Sequence, residues 1–333
     1  MNSTKQKPDV RNFISRFSIY IVLVIMIVIS SILSPYFISS DNIINIIRQL
    51  AIGTILAFGE MILITAGQID LSSGAVLALS GILSIASYQS THSLFIAFIV
   101  AIIVSVICNI LNAVMVTNFN APAFIATLAM TYAARGAALL YTKGQNILQI
   151  GDYTIFGQGS VGIIPMPVIF LIIVALIIAY IMRNTRFGRS IYAIGGNEPA
   201  AVASGINVHK VKYTAFIING ILVGIAGVLF MSRVNAGLPN GGVGYEMTGI
   251  TATIVGGTSF TGGIGTTIGT IVGSFIIGIL NNIMTLTGVD SYVQQIVTGV
   301  VIAFAVIYDI QSKKKKSNKI ILSEDSDKGT AKT

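Results

Sequence analysis

An all-α, polytopic integral membrane protein of about ten transmembrane helices is the fold this sequence predicts. Three observations carry that reading. Of 333 residues, 54% are hydrophobic and 10% are charged, where an ordinary soluble domain carries about 25% charged residues. Mean hydropathy is +0.85. Six long stretches contain no Asp, Glu, Lys or Arg at all: 17–40, 71–134, 153–182, 213–232, 247–289 and 291–308. Too little charge is left to coat a water-facing globule. A soluble enzyme, a disordered chain and a disulfide scaffold are excluded.

The spans follow in order. Residues 1–16 are a polar N-terminus, and 17–33 reads as an uncleaved first span, long for a signal peptide and without a small-x-small site before Pro35. The second span, 43–67, is interrupted only by Arg48 and Glu60. Stretch 71–134 is too long for one helix, and two polar gaps, Gln89 to His92 and Asn118 to Pro122, divide it into three spans. Residues 153–182 supply the sixth span, and 213–232 the seventh. Stretch 247–289 is punctuated by Gly256, Gly257, Gly262, Gly263 and Gly265. It holds two spans, or fewer if part of it is re-entrant. Residues 291–308 close the series, so that 17–310 forms one transmembrane domain. The tail, 311–333, mixes Ser, Asp, Glu, Lys and Thr without periodicity and reads as disordered.

Lys and Arg set the orientation. Lys5, Lys7, Arg11 and Arg16 lie in the N-terminus, Arg183, Arg186, Arg189, Lys210 and Lys212 in the 183–212 connection, and Lys313 to Lys316 at the start of the tail. With about ten spans all three fall on one side. The opposite loops are nearly free of basic residues apart from Lys143. Both termini and the 183–212 loop are therefore expected in the cytoplasm of a bacterial cell. The net charge of +8 is this topology signal and implies no nucleic-acid partner.

Catalytic chemistry finds no foothold. No Gly-Lys dipeptide exists, so there is no P-loop. There is no His-Glu-x-x-His zinc site, and no metal site is expected. His92 and His209 belong on opposite sides of the membrane, which removes any Ser-His-Asp arrangement. Cys108 is the only cysteine. The chain is not expected to be an enzyme.

What remains is packing and passage. Small residues at four-residue spacing let helix backbones approach closely in lipid. Gly265, Gly269 and Gly273 show that spacing, as do Gly220 and Gly224, while Gly67, Gly74 and Gly81 recur every seven residues. Asn109, Asn112, Asn281, Asn282, Gln294 and Gln295 must either bond across helices or line a wet cavity. Asp70, in Gly67-Gln68-Ile69-Asp70-Leu71-Ser72-Ser73-Gly74, either caps a helix beginning at Leu71 or has a functional role. Arg135 lies inside the fifth span, where it snorkels or pairs. Glu60 falls near the middle of the second span without a partner that the sequence names.

The 183–212 loop contains Gly195-Gly196-Asn197-Glu198-Pro199-Ala200-Ala201-Val202-Ala203-Ser204-Gly205-Ile206. Asn197 suits an N-cap, Glu198 the positive end of the helix dipole, and Pro199 a first turn. Gly205 suits the left-handed closing position. A helix of about seven residues does not persist alone in water and needs a surface to pack on.

Taken together, several of these segments resemble the ribose-type sugar permeases of bacterial ABC importers. The resemblance rests on Ile69-Asp70-Leu71-Ser72, Ala123-Phe124-Ile125-Ala126-Thr127-Leu128, Gly195-Gly196-Asn197-Glu198-Pro199-Ala200-Ala201, Gly244-Tyr245-Glu246, Ile254-Val255-Gly256-Gly257-Thr258-Ser259 and Gly278-Ile279-Leu280-Asn281-Asn282. It runs from about Ile43 to Asp309. Gln68 and Ser73 depart from the Gly and Val often found there. The resemblance implies a homodimer of permease chains in membrane lipid, cytoplasmic ATPase domains that bind the ATP, no cofactor in this chain, and an extracytoplasmic sugar-binding protein. Gly195, Gly196, Asn197, Glu198, Ala200, Ala201 and Gly205 are similar to the loop that engages the ATPase. Asp70, Asn281 and Asn282 are candidates to line the translocation path. Ribose is the expected substrate, with other pentoses or hexoses, an autoinducer sugar or a nucleoside as alternatives. A secondary transporter is the reading from another class, with Glu60 as its one candidate for ion coupling.

Overall fold

A computed structural model describes residues 10–330, with side chains from 19 to 311. Lys5, Lys7 and most of the N-terminal segment thus lie outside the described residues. Helices α1 (Val10–Leu33), α2 (Ser40–Thr65), α3 (Ser73–Thr91), α4 (Leu94–Thr117) and α5 (Ala123–Thr142) are followed by a peripheral loop. That loop carries the two-residue strands β1 (Ile147–Leu148), β2 (Ser160–Val161) and β3 (Ile164–Pro165) and the single turn α6 (Ile155–Gln158). Next come α7 (Met166–Asn184), α8 (Arg186–Gly196), α9 (Glu198–Ala203) and α10 (Val208–Val234). Strand β4 (Ala236–Gly237), α11 (Tyr245–Val255), α12 (Thr267–Leu286) and α13 (Ser291–Thr330) complete the chain. The only sheets among the described residues are the antiparallel pairs β2–β3 and β1–β4, the latter with Ile147 opposite Gly237.

Among the described residues, seven helices are long and apolar enough to cross a membrane: α2, α4, α5, α7, α10, α12 and the 291–311 part of α13. Helices α1, α3 and α11 bring the total to ten. Helix α3 is long enough but rich in Ser and Gly, because the stretch from Ser73 to Ile85 is mostly buried by protein and need not be lipid-soluble. Helix α11 has 11 residues, about 16 Å at 1.5 Å per residue, roughly half of the hydrocarbon thickness. The Gly-rich stretch is therefore one half-helix and one full helix.

Helix α13 runs without a break from Ser291 to Thr330. Extending an existing helix avoids the costly nucleation step, and residues such as Lys, Ile and Glu are tolerated in it.

Helices α2 and α10 form the centre, with α3 and α4 packed on α10 and with α11 and α12 packed on α2. Glycines make these approaches possible. A Cβ on Gly224 would stand 2.9 Å from the Ala101 carbonyl oxygen of α4, and one on Gly273 only 2.0 Å from the Ala252 carbonyl oxygen of α11. Gly74 and Gly81 likewise face the Gly242 carbonyl and Met231. Gly67 differs from the other two members of its series. It has φ +75 and no close neighbour, and it closes α2 in a Schellman arrangement in which the Gln68 N–H donates to Leu63 O at 2.8 Å.

Gly273→Ala should lower the unfolding temperature of the detergent-solubilised protein by the equivalent of about 1–3 kcal/mol, the usual cost of overpacking. Gly53→Ala, on the same kind of helix but with open space around it, should leave that temperature unchanged or raise it slightly.

Candidate functional site

Two connections break the helical pattern inside the protein, at 66–72 and at 235–244. Backbone groups there have no helix to satisfy them, and no water is available in hydrocarbon. The side chains that surround the first break are buried and polar. Ser72 donates to Asp70 Oδ1 twice, from its N–H at 2.7 Å and from its hydroxyl at 2.5 Å. Asn219 Nδ2 of α10 donates to Asp70 Oδ2 at 2.7 Å and to Asn109 Oδ1 of α4 at 3.0 Å. Asn112 Nδ2 donates to the Ser72 hydroxyl at 3.0 Å. On α5, Thr127 Oγ1 accepts from the Leu71 N–H and Thr131 Oγ1 donates to the Leu71 carbonyl, at 3.0 and 2.8 Å. Glu60 accepts from the Ser73 hydroxyl at 2.8 Å and from the Asp70 N–H at 3.4 Å. Asp70 is thus the hub of a structural network and lines neither of the two polar cavities described below. It is not the N-cap of α3: that helix begins two residues later than Leu71 with Ser72 as its N-cap, and Asp70 accepts the N–H of Ser72 itself. Glu60 serves the same break.

Arg135 supports the second break. Its Nη1 donates to the carbonyls of Pro239 and Gly241 at 2.6 and 2.7 Å. This holds the extended segment before α11 inside the bundle, beside the first turn of α3. The partner that sequence reasoning left unnamed is main-chain oxygen, which residue types do not reveal.

A cavity of about 460 Å³ lies between α2, α11, α12 and the start of α13. Gln49, Thr248, Asn281, Asn282, Gln294 and Thr298 supply amides and hydroxyls to its wall, and no Asp, Glu, Lys or Arg does. Asn282 is held by reciprocal hydrogen bonds with Asn42, at 3.2 and 2.8 Å. A narrower cavity of about 90 Å³ shares Gln49, Tyr245, Thr248 and Asn281 with the first and continues along α2 to Thr54 and Ser274. Thr54 Oγ1 is buried there without a protein hydrogen-bond partner. The structure brings Asn281 and Asn282 to this wall and leaves Asp70 elsewhere. Gln49, Thr248 and Thr298 were not singled out from sequence; isolated polar residues in apolar spans were the only signal.

The 183–212 loop forms α8 and α9. Asn197 is the N-cap of α9, its Oδ1 accepting from the Ala200 N–H at 3.0 Å. Gly205 has φ +80, and the Ile206 N–H donates to Ala201 O at 3.1 Å, closing the helix. Glu198 and Ala201 turn toward their own chain. Lys212 Nζ donates to both Glu198 oxygens at 3.0 Å, and Ala201 is buried with Ile194 and Val208. Pro199, Ala200, Val202 and Ala203 are the exposed face. Gly195 is in tight contact, since a Cβ on it would stand 1.8 Å from the Thr65 carbonyl oxygen. That oxygen, at the end of α2, accepts from the Gly263 N–H at 2.9 Å, and a Cβ on Gly263 would meet Gly196. Tyr192 donates its hydroxyl to Gly265 O at 2.7 Å. Burial pushes that phenol above its usual range, so it stays a donor. Helix α8 is thereby fastened both to α2 and to the loop between α11 and α12.

Asp70→Ala should destabilise the protein by about 1–3 kcal/mol for each buried donor left unpaired, those of Ser72 and Asn219, with Asp70→Asn milder. Thermal unfolding in detergent measures this. Wild-type stability with transport alone lost would show a path residue instead of a structural hub.

The comparisons with known proteins agree with this architecture. The family described as branched-chain amino acid transport system / permease component matches residues 42–306. The ribose import permease of Haemophilus influenzae is 39% identical over 320 residues, covering 93% of this chain and 99% of the relative. That of Bacillus subtilis is 40% identical over 301 residues, covering 90% and 92%. The D-allose transport system permease of Escherichia coli is 36% identical over 300 residues, covering 89% and 92%. No solved structure matches the chain. With a family match over residues 42–306 and transport permeases as its relatives, this chain is a multi-pass membrane permease, not an enzyme, and belongs to the transport-system permease family.

Proposed function

We propose that this chain is the membrane permease of an ATP-driven bacterial importer for a monosaccharide, with ribose as its substrate. The observation that supports a sugar best is the uncharged wall of the larger cavity. A zwitterionic amino acid, the solute class in the family's description, would bring two charges that are costly to hold unpaired away from water. A sugar asks for interleaved donors and acceptors, and amides with hydroxyls provide both. The volume falls in the usual range of about 300–1,000 Å³ for small-molecule sites. The relatives' names, ribose and D-allose permeases, point the same way.

In this reading two copies assemble in the membrane, a cytoplasmic ATPase binds ATP, and a sugar-binding protein delivers substrate from outside; the permease itself holds no cofactor. The exposed face of α9, with Val202 57% exposed at its centre, is what an ATPase would meet. Gly195, Gly196, Asn197, Glu198, Ala201 and Gly205 shape and fasten that helix instead of contacting the partner. ATPase closure would move α8 and α9, and with them α2 and the α11–α12 loop whose helices wall the cavity.

The test is sugar-stimulated uptake in vesicles containing the permease with its ATPase and binding protein. Asn281→Leu should reduce ribose uptake at least tenfold while assembly is retained. Val202→Arg should uncouple ATP hydrolysis from the sugar-loaded binding protein. Uptake of a branched-chain amino acid in place of every monosaccharide would overturn the substrate.

Orientation is tested separately, with Cys108 replaced by Ala. Ile163→Cys, at a position 96% exposed, should react with a membrane-impermeant thiol reagent in intact cells. Ser204→Cys should react only after the membrane is opened. The reverse pattern would place the basic loop outside.

A further inference from the structure

We infer that a cavity at the membrane boundary, between α7, α8 and α12, is a binding site for the phosphate headgroup of an anionic phospholipid. It has a volume of about 430 Å³ and is distinct from the polar cavity at the other end of α12. Its wall is built by Met182 and Arg183 at the end of α7, Arg189 and Tyr192 on α8, and residues 266–268 where α12 begins.

Three features select the ligand. The first is unmatched positive charge. Lys212 with Glu198 is the only ion pair among the described residues, so neither Arg183 nor Arg189 has a carboxylate partner. Two planar guanidinium groups lining one cavity suit the oxygens of a phosphodiester. The second is the start of α12, whose first-turn N–H groups have no intrahelical acceptors and favour an anion. Thr266 Oγ1 takes only the Gly269 N–H, at 3.1 Å. The third is the apolar track that leads away from the cavity. Ile173, Leu176 and Ile177 on α7 are exposed, and Ile268 is 63% exposed at the cavity edge, so acyl chains would have a surface to lie along. A free phosphate would leave that track unused, which commits the site to lipid. Basic pockets between helices at a membrane face are a recurrent means of holding such headgroups.

The site sits on α8, the element fastened to Thr65 and Gly263. A bound headgroup would pin the membrane side of α8 while its other side faces α9.

The test uses the full-length permease in neutral detergent, titrated with phosphatidylglycerol and followed by native mass spectrometry. One tightly bound lipid per chain is expected. The double variant Arg183→Gln/Arg189→Gln should weaken it by about 30-fold, as loss of two membrane-facing cationic contacts implies. Arg186→Gln, one turn away and outside the cavity wall, should leave it unchanged, and Arg183→Lys/Arg189→Lys should keep most of it. Phosphatidylcholine with the same acyl chains should bind no better to wild type than to the double variant, and excess inorganic phosphate should not displace the phosphatidylglycerol. Equal binding of the two lipids, equal affinity in the glutamine variant, or displacement by inorganic phosphate would each overturn the lipid site. If the glutamine variant does not fold, the lipid comparison and the phosphate competition on wild type still decide.

Discussion

In hydrocarbon, a backbone N–H or carbonyl without a partner costs several kcal/mol. This chain interrupts its helices twice at depth, and the rest of the architecture answers that constraint. Around 66–72 the partners are Glu60, Asp70, Thr127 and Thr131. Around 235–244 they come from Arg135. The supporting side chains stand on α4, α5 and α10, the helices that must then pack closely around α3. Gly220 and Gly224 on α10 allow this, because any larger residue would strike the α4 backbone.

The breaks have a use. A full-length helix in place of 235–255 would carry its backbone past the cavity with every polar group already satisfied. Ending the extended segment at Gly244 lets Val243, Gly244 and the first turn of α11 form part of the cavity wall instead. Half-length helices whose ends stand beside a polar cavity at depth are a recurrent arrangement in transporters. Here the wall offers uncharged groups only, and the carboxylates of Glu60 and Asp70 are turned to structural bonds away from it.

Much of this was legible in the residues. Absence of charge located the spans, and Asn197 and Gly205 marked both ends of α9 because cap chemistry is local. The small-residue spacings identified real contacts for Gly74, Gly81, Gly220, Gly224, Gly269 and Gly273. Depth was not legible. An apolar stretch such as 247–289 is equally soluble at every level of the bilayer, so nothing in its composition states that α11 stops halfway. Direction within a short helix was also hidden. Ala201 looks like any small residue suited to a partner's groove, yet its neighbours Ile194 and Val208, both in the same chain, claim it.

The contact of Gly195 with Thr65 and Gly263 leaves no room for compliance. Where a side chain would provide slack, bare backbone lies on bare backbone, and a hydrogen bond from Gly263 to Thr65 closes the joint. Helix α2 is 26 residues long, about 39 Å at 1.5 Å per residue. Pivoted near its middle, it is a lever with arms of about 20 Å, so a push of about 2 Å at Thr65 returns about 2 Å at the far end, where Asn42 grips Asn282. A soft joint would dissipate that displacement locally. Here no side chain stands between α8 and the end of α2 to absorb it.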